Sequence, residues 1–266
     1  MNKISKSTPV PDILLTRGEE LKAKLIEQAD NGETNFSFSS EVYADSTVKD
    51  RLKSDQHNKC SYCERYLNGD FGDVEHFRPK KAYQQSFGSA MNRPGYYWLA
   101  YNWDNLLLSC SECNRSFKKN LFPLEDEHKR DVPHRNVTQE VSLLINPTSE
   151  DPGRFVCFEE HIVKARVIDG AESSKGKATI DILKLNDRAD LVEARRRKWN
   201  EYQTIKKSIA VIRSMLHNVN MSDYAEEMLF CLNRGVWKRF HRICPSLRAC
   251  LNIKRIEEYN IILYYN

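Results

Sequence analysis

The sequence predicts an α+β fold, in which a short strand pair and a helix form a core, stapled by a metal and surrounded by N- and C-terminal helices. Three observations predict it. Two Cys-x-x-Cys pairs, Cys60/Cys63 and Cys110/Cys113, bracket the middle of the first half of the chain. Between them lie Val74-Glu75-His76-Phe77, which alternates as a half-buried strand does, and the apolar run Leu106-Leu107-Leu108. On both sides the apolar residues return with helical period.

The cysteine spacing carries the most chemistry. Two intervening residues let a tight turn aim both sulfurs at one ion, and two such pairs make a tetrahedral four-thiolate site, the usual arrangement for structural zinc. Eight cysteines with no secretory leader pattern place the chain in a reducing cytoplasm, where paired thiols read as metal ligands rather than disulfides. No apolar run is long enough to span a bilayer, so no membrane association is expected. A net charge of +4 neither demands nor excludes nucleic acid, because one local basic face suffices for phosphate. Of the 266 residues 40% are hydrophobic and 29% charged, which allows a real core.

Taken in order, the polar start Met1-Asn-Lys-Ile-Ser-Lys-Ser-Thr-Pro9 is expected to be frayed. Pro11 to Asp30 reads as a helix stopped by Asn31-Gly32. Ser46 is expected to cap a second helix through Val48 and Leu52. A turn at Gly69 and Gly72 leads into the strand, which Pro79 ends. Gly95 to Tyr101 predicts a helical turn, and Asn114 to Lys119 a helix starting at the second knuckle. Residues 131–170 read as loops with a small sheet element at Ile162-Val163 and Val167-Ile168, turned by Gly170. Thr179 to Leu185 predicts a short helix ended by Asn186. Asp187 or Asp190 caps a long one to about His217, with Leu191, Val192, Trp199, Tyr202, Ile205 and Ile209 on one face. Tyr224 to Leu263 also reads as helical. This gives an N-terminal helical segment over 1–55, the core over 56–125 and a mainly helical region over 126–266.

Glu75 and His76 are adjacent on a strand and point to opposite faces unless its end is distorted, so one can ligate a metal while the other addresses a water. Asn114 follows the last knuckle cysteine and is placed by it. An acidic residue, a histidine and a carboxamide make a hard, open site suited to Mg²⁺ or Mn²⁺, and an imidazole is the natural base for water. Arg78, Lys80, Lys118 and Lys119 flank the site and suit DNA backbone phosphates.

The stretch from Cys60 to Asn120 resembles the zinc-supported HNH nucleases of the ββα-metal fold. The resemblance implies a metal-dependent endonuclease acting on DNA, with Glu75 and Asn114 as ligands of the catalytic Mg²⁺ or Mn²⁺ and His76 as general base. It implies that Asn105 holds the loop by hydrogen bonds, that Lys118 or Lys119 is the basic residue that commonly follows, and that Cys60, Cys63, Cys110 and Cys113 hold the structural Zn²⁺. Many members carry Asp where Glu75 stands. With Leu121-Phe-Pro-Leu124, Leu144-Ile-Asn-Pro147 and Leu183-Lys-Leu-Asn186 added, the chain resembles the HNH component of the Septu anti-phage systems, also found beside some retrons. That implies an ATPase partner, contacted through the helix after Asp190.

The alternative from another class is a zinc-knuckle module that binds nucleic acid or protein and cuts nothing. Cys157, Cys231, Cys244 and Cys250 lack paired spacing and read as buried thiols, with His241-x-x-Cys244 and Cys250 the weaker metal alternative. Arg195-Arg-Arg-Lys198 reads first as a solvated helix face and second as a phosphate or partner contact.

Overall fold

The computed structural model describes residues 1–67 and 72–216, with side chains to residue 210. The helical reading of 224–263, Gly69, His217 and the group His241, Cys244 and Cys250 lie outside the described residues. The chain divides into two compact units, Met1–Val156 with Ala165–Lys184, and Cys157–Lys164 with Leu185–Asn266.

In the first unit a π-helical turn, Leu14–Gly18, runs into helix α1, Glu19–Asp30, followed by α2, Ser40–Tyr43, and α3, Ser46–Asp55. The cap of α3 is Asp45, whose carboxylate accepts from the Thr47 amide at 2.8 Å, and Ser46 is the first helical residue. Both residue types cap well, but only Asp45 has the extended backbone a cap requires.

Strand β1, Asp73–His76, pairs antiparallel with β2, Leu106–Ser109, in the register Asp73↔Ser109 to His76↔Leu106. All four residues of β2 are buried, so the strand is covered on both faces. Its second edge is closed by a side chain. Gln56 accepts from the Leu108 amide at 2.9 Å and donates to the Leu108 and Lys59 carbonyls at 2.8 and 3.0 Å. Gln56 thus acts as a third strand one residue long. Gln56→Leu should cost about 2–4 kcal/mol, because orphaned buried polar groups cost roughly 1–3 kcal/mol each. A denaturant melt with an unchanged midpoint would show the edge to be satisfied otherwise.

The first residues are not frayed. Met1 and Ile4 are buried, and Asn2 donates through its backbone to Glu64 at 2.8 Å. The Ile4 amide bonds the Pro147 carbonyl at 2.7 Å, and Ser7 bonds Asp55 at 3.0 Å. Lys6 donates to the Trp103 and Leu106 carbonyls and lies over the Trp103 ring at 3.8 Å. Polar composition suggested fraying, but Asn2, Lys6 and Ser7 each meet a specific partner.

After β2 the chain turns into a π-helix, Glu112–Lys118, which starts before Cys113 rather than after it. Farther on, β5, Val167–Ile168, and β6, Ala171–Glu172, form a hairpin through Asp169-Gly170, both at positive φ, the signature of a tight hairpin turn. They follow β3, Val156–Glu159, and β4, Ile162–Ala165, which pair with each other. Helix α4 spans Ser174–Ile182 with Ser173 as its cap, so it starts and ends earlier than Thr179 to Leu185.

In the second unit Asn186 does not stop a helix. Its amide brackets Val163 instead, accepting from the backbone N–H at 3.0 Å and donating to the carbonyl at 2.8 Å. Helix α5, Ala189–Leu216, has Asp190 within its first turn. Leu191 is buried, and Trp199 stacks near Tyr202 at 5.4 Å. The basic run is consumed locally: Arg195 donates to the Leu185 carbonyl at 2.7 Å, Arg196 pairs with Glu193 and Lys198 with Glu201, each at 2.8 Å. Among the described residues no helix is long and apolar enough to cross a membrane.

Candidate active site

The four knuckle cysteines converge. Cys60, Cys63, Cys110 and Cys113 are buried, and their sulfurs all lie within 4.8 Å of one another. The Cys63 and Cys110 sulfurs are 3.8 Å apart. Four thiolates at about 2.3 Å around a tetrahedral ion have edges of about 3.8 Å, so this cluster could hold a metal ion such as zinc. The local backbone serves the same end. Glu64 takes a positive φ of 65° to turn the first knuckle, and the Cys113 amide points at the Cys110 sulfur at 3.5 Å. Burial pushes the Cys60 thiol up, and a cation is what lets such a group ionise.

Beside the cluster opens a cleft of about 440 Å³. It is lined by the end of β1, the loop after it, the π-helix, and Tyr43 and Lys49 from the N-terminal helices. Glu75, His76, Lys80, Asn114 and Lys119 all line it. Lys119 ends the π-helix at φ 49° and ψ −118°, a backbone region that non-glycine residues rarely occupy.

His76 is held on two sides. Its Nε2 lies 2.8 Å from the Ala100 carbonyl, which accepts only, so a neutral ring carries its proton on Nε2 and its lone pair on Nδ1. Tyr43 packs edge-on against the ring at 4.9 Å. Burial, with Lys80 nearby, holds the imidazole well below its usual range. Lys80 Nζ is 3.2 Å from Nδ1. Its own pKa is pushed down to about 8, mainly by burial, against the pull of Glu75.

Asn105 stands behind the loop rather than in the cleft. Its side-chain oxygen accepts from the Arg78 amide at 2.8 Å, and its amide donates to the Arg78 and Leu99 carbonyls at 3.0 and 3.1 Å. Its backbone carbonyl takes the Phe77 amide at 2.9 Å. Asn105 therefore clips the residues after β1 to the chain before β2.

Two of the four basic residues expected to meet DNA, Lys118 and Arg78, do not line the cleft. Lys118 is fully buried, pairing with Glu75 Oε1 at 2.5 Å and donating to the His76 carbonyl at 3.0 Å. Arg78 pairs at 2.9 Å with Glu140, whose side chain is wholly buried, and lies over Phe122 and Tyr96. Desolvated carboxylates hold both cations, so neither is available to a phosphate. Lys49, Lys81 and Arg115 line the cleft instead.

For a hard cation the donor set is larger than the sequence reading found. Asp73 lines the same cleft, accepts from the Asn114 amide at 3.1 Å and pairs with Arg115. It lies two residues before Glu75, and alternation along a strand puts both carboxylates on one face. That period was the available signal. Burial pushes the Glu75 carboxyl up, and Lys118 pulls against it. Two carboxylates and one carboxamide fit the oxygen preference of Mg²⁺ or Mn²⁺.

No protein-family model matches the chain. It is similar to Septu protein PtuB of Bacillus mycoides (strain KBAB4), with 34% identity over 238 residues, which is 86% of this chain and 78% of that protein. Septu protein PtuB of Bacillus thuringiensis is 28% identical over 182 residues, 67% of this chain and 57% of its own length. Septu protein PtuA of Bacillus mycoides (strain KBAB4) is 30% identical over 150 residues, 56% of this chain but 20% of that protein.

Proposed function

The chain belongs to the Septu PtuB family, and on that footing we propose that it is a metal-dependent HNH endonuclease that hydrolyses DNA phosphodiester bonds as an effector of anti-phage defence. The observation that carries the reading is His76, whose Nδ1 lone pair is aimed by the Ala100 carbonyl into a cleft that also holds Asp73, Glu75 and Asn114. A base must reach the proton it abstracts, and here one ring nitrogen is fixed by the backbone while the other faces the substrate space.

Asp73, Glu75 and Asn114 would hold the Mg²⁺ or Mn²⁺. When bound, such an ion polarises the scissile phosphate and stabilises the leaving oxygen. His76 takes the proton of the attacking water at Nδ1, and Asn105 keeps the loop in register for it. Lys80, Lys119, Lys81 and Lys49 draw in the phosphates without reading bases, so cleavage is weakly sequence-specific and salt-sensitive. The partner is an ATPase of the PtuA type. The likeness of this chain to one fifth of a PtuA supports that pairing, because the same module then occurs inside the longer protein as well as alone.

His76→Ala tests the reading against a binding module that cuts nothing. With Mg²⁺ or Mn²⁺ and the partner present, cleavage should fall about 10²–10⁴-fold, with zinc content and DNA binding retained. Cleavage at the wild-type rate would refute the assigned base.

A further inference from the structure

The contact between Lys80 and His76 is not what a ready base would show. Nε2–H is committed to the Ala100 carbonyl, so Nδ1 must accept. A lysine ammonium has three donors and no acceptor, so at 3.2 Å Lys80 gives a proton to the hydrogen bond and Nδ1 receives it. The lone pair that has to take a proton from water is therefore already occupied.

Lys80 is also seated. Its Nζ lies 4.4 Å from the Tyr43 ring centroid and 5.7 Å from that of Phe38, so two aromatic faces hold the ammonium where it meets the imidazole. The loop beneath it is fixed. Asn105 clamps both backbone groups of Arg78, and the Pro79 carbonyl accepts from the Tyr96 amide at 2.9 Å. The backbone cannot carry Lys80 off Nδ1, but four rotatable side-chain bonds can.

We infer that Lys80 is a substrate-released cover on the general base, held on His76 Nδ1 by Tyr43 and Phe38 until a phosphate in the cleft takes the ammonium and frees the lone pair. The direction of the exchange follows from bond strength. The ammonium's bond to Nδ1 has one charged partner, whereas its bond to a phosphate has two and gains their Coulomb attraction, and Lys80 lines the same cleft that the phosphate must enter. Water at an empty site then meets no free base. The inference rests on the nuclease reading, but it is tested without any cleavage.

The experiment uses the full chain with its zinc, labelled with ¹⁵N-histidine, with no divalent cation added and the His76 signals assigned by their loss in His76→Gln. Inorganic phosphate is the probe, against chloride at matched ionic strength. In the wild type, phosphate should move the Nδ1 signal from the hydrogen-bonded towards the free lone-pair position, and chloride should not. In Lys80→Met the signal should start at the free position and stay there. A wild-type Nδ1 signal indifferent to phosphate, or one that moves equally in Lys80→Met, overturns the inference. If Lys80→Met does not fold, the wild-type titration decides alone. An active wild type without the exchange refutes only the cover, whereas His76→Ala cutting like the wild type refutes the assignment of His76 as the base, whatever phosphate does to the Nδ1 signal.

Discussion

Removing the metal from the four-cysteine site should unfold the first unit rather than loosen it. The cluster joins the turn after α3 to the junction of β2 with the π-helix, beside the bonds of Gln56 to Leu108 and the pair of Arg65 with Glu112. Cys60 sits in a turn closed by its own bonds to Arg65 and Glu64, and the Ser61 amide reaches the Leu108 carbonyl at 2.9 Å. Cys113 lies inside the π-helix that carries Asn114 and Lys118. Without a cation, four buried sulfurs at contact distance hold nothing together. Structural zinc contributes on the order of 10 kcal/mol in small domains, and whole-domain stability is about 5–15 kcal/mol. Loss of the ion should therefore consume most of what the fold has. Elemental analysis of protein purified without chelators should find zinc, and a strong chelator or Cys60→Ser should abolish the cooperative thermal transition. Metal-free protein that melts as the untreated protein does would refute this.

The readable parts of the fold were those with a period or a spacing. The cysteine pairs, the alternation in β1, the run in β2 and the apolar face of α5 each repeat in a way that reports local structure. What escaped was what depends on a distant partner. Nothing around Gln56 announces that its carboxamide completes the edge of β2, and nothing in Met1 to Ser7 announces that Asn2, Lys6 and Ser7 meet specific partners. The apolar period starts helix α4 only at Thr179, whereas the helix begins at Ser174 and runs through Gly176. Gly176 is there because the Phe155 carbonyl approaches to 2.2 Å of where a Cβ would stand, so only glycine lets the helix pack. In the site, Glu75, His76 and Asn114 were legible, and Asp73 was legible by strand period but not read. The burial of Lys118 and Arg78 was not legible, since a cation in sequence gives no sign of which carboxylate will claim it.

Lys118 carries the second large effect. Its ammonium is fully buried against Glu75 and also satisfies the His76 carbonyl, so one side chain supports both residues of the acidic–histidine pair. Breaking a buried pair by removing one partner typically costs about 3–5 kcal/mol, because the remaining charge is left uncompensated. For a domain of this size that corresponds to a fall in Tm of roughly 6–20 °C. Lys118→Met should show it, and Glu75→Gln with Lys118→Met should recover a large part, because the double change removes the stranded charge. The same variant also tests the metal site. In Lys118→Met, Mg²⁺ or Mn²⁺ should raise the Tm by more than in the wild type, since the ion takes over the counter-charge that Lys118 supplied. Equal shifts in the two proteins would mean that Glu75 faces no ion. The oxygen donors of the cleft would then reduce to Asp73 and Asn114, and Lys118–Glu75 would be a structural pair beneath the site.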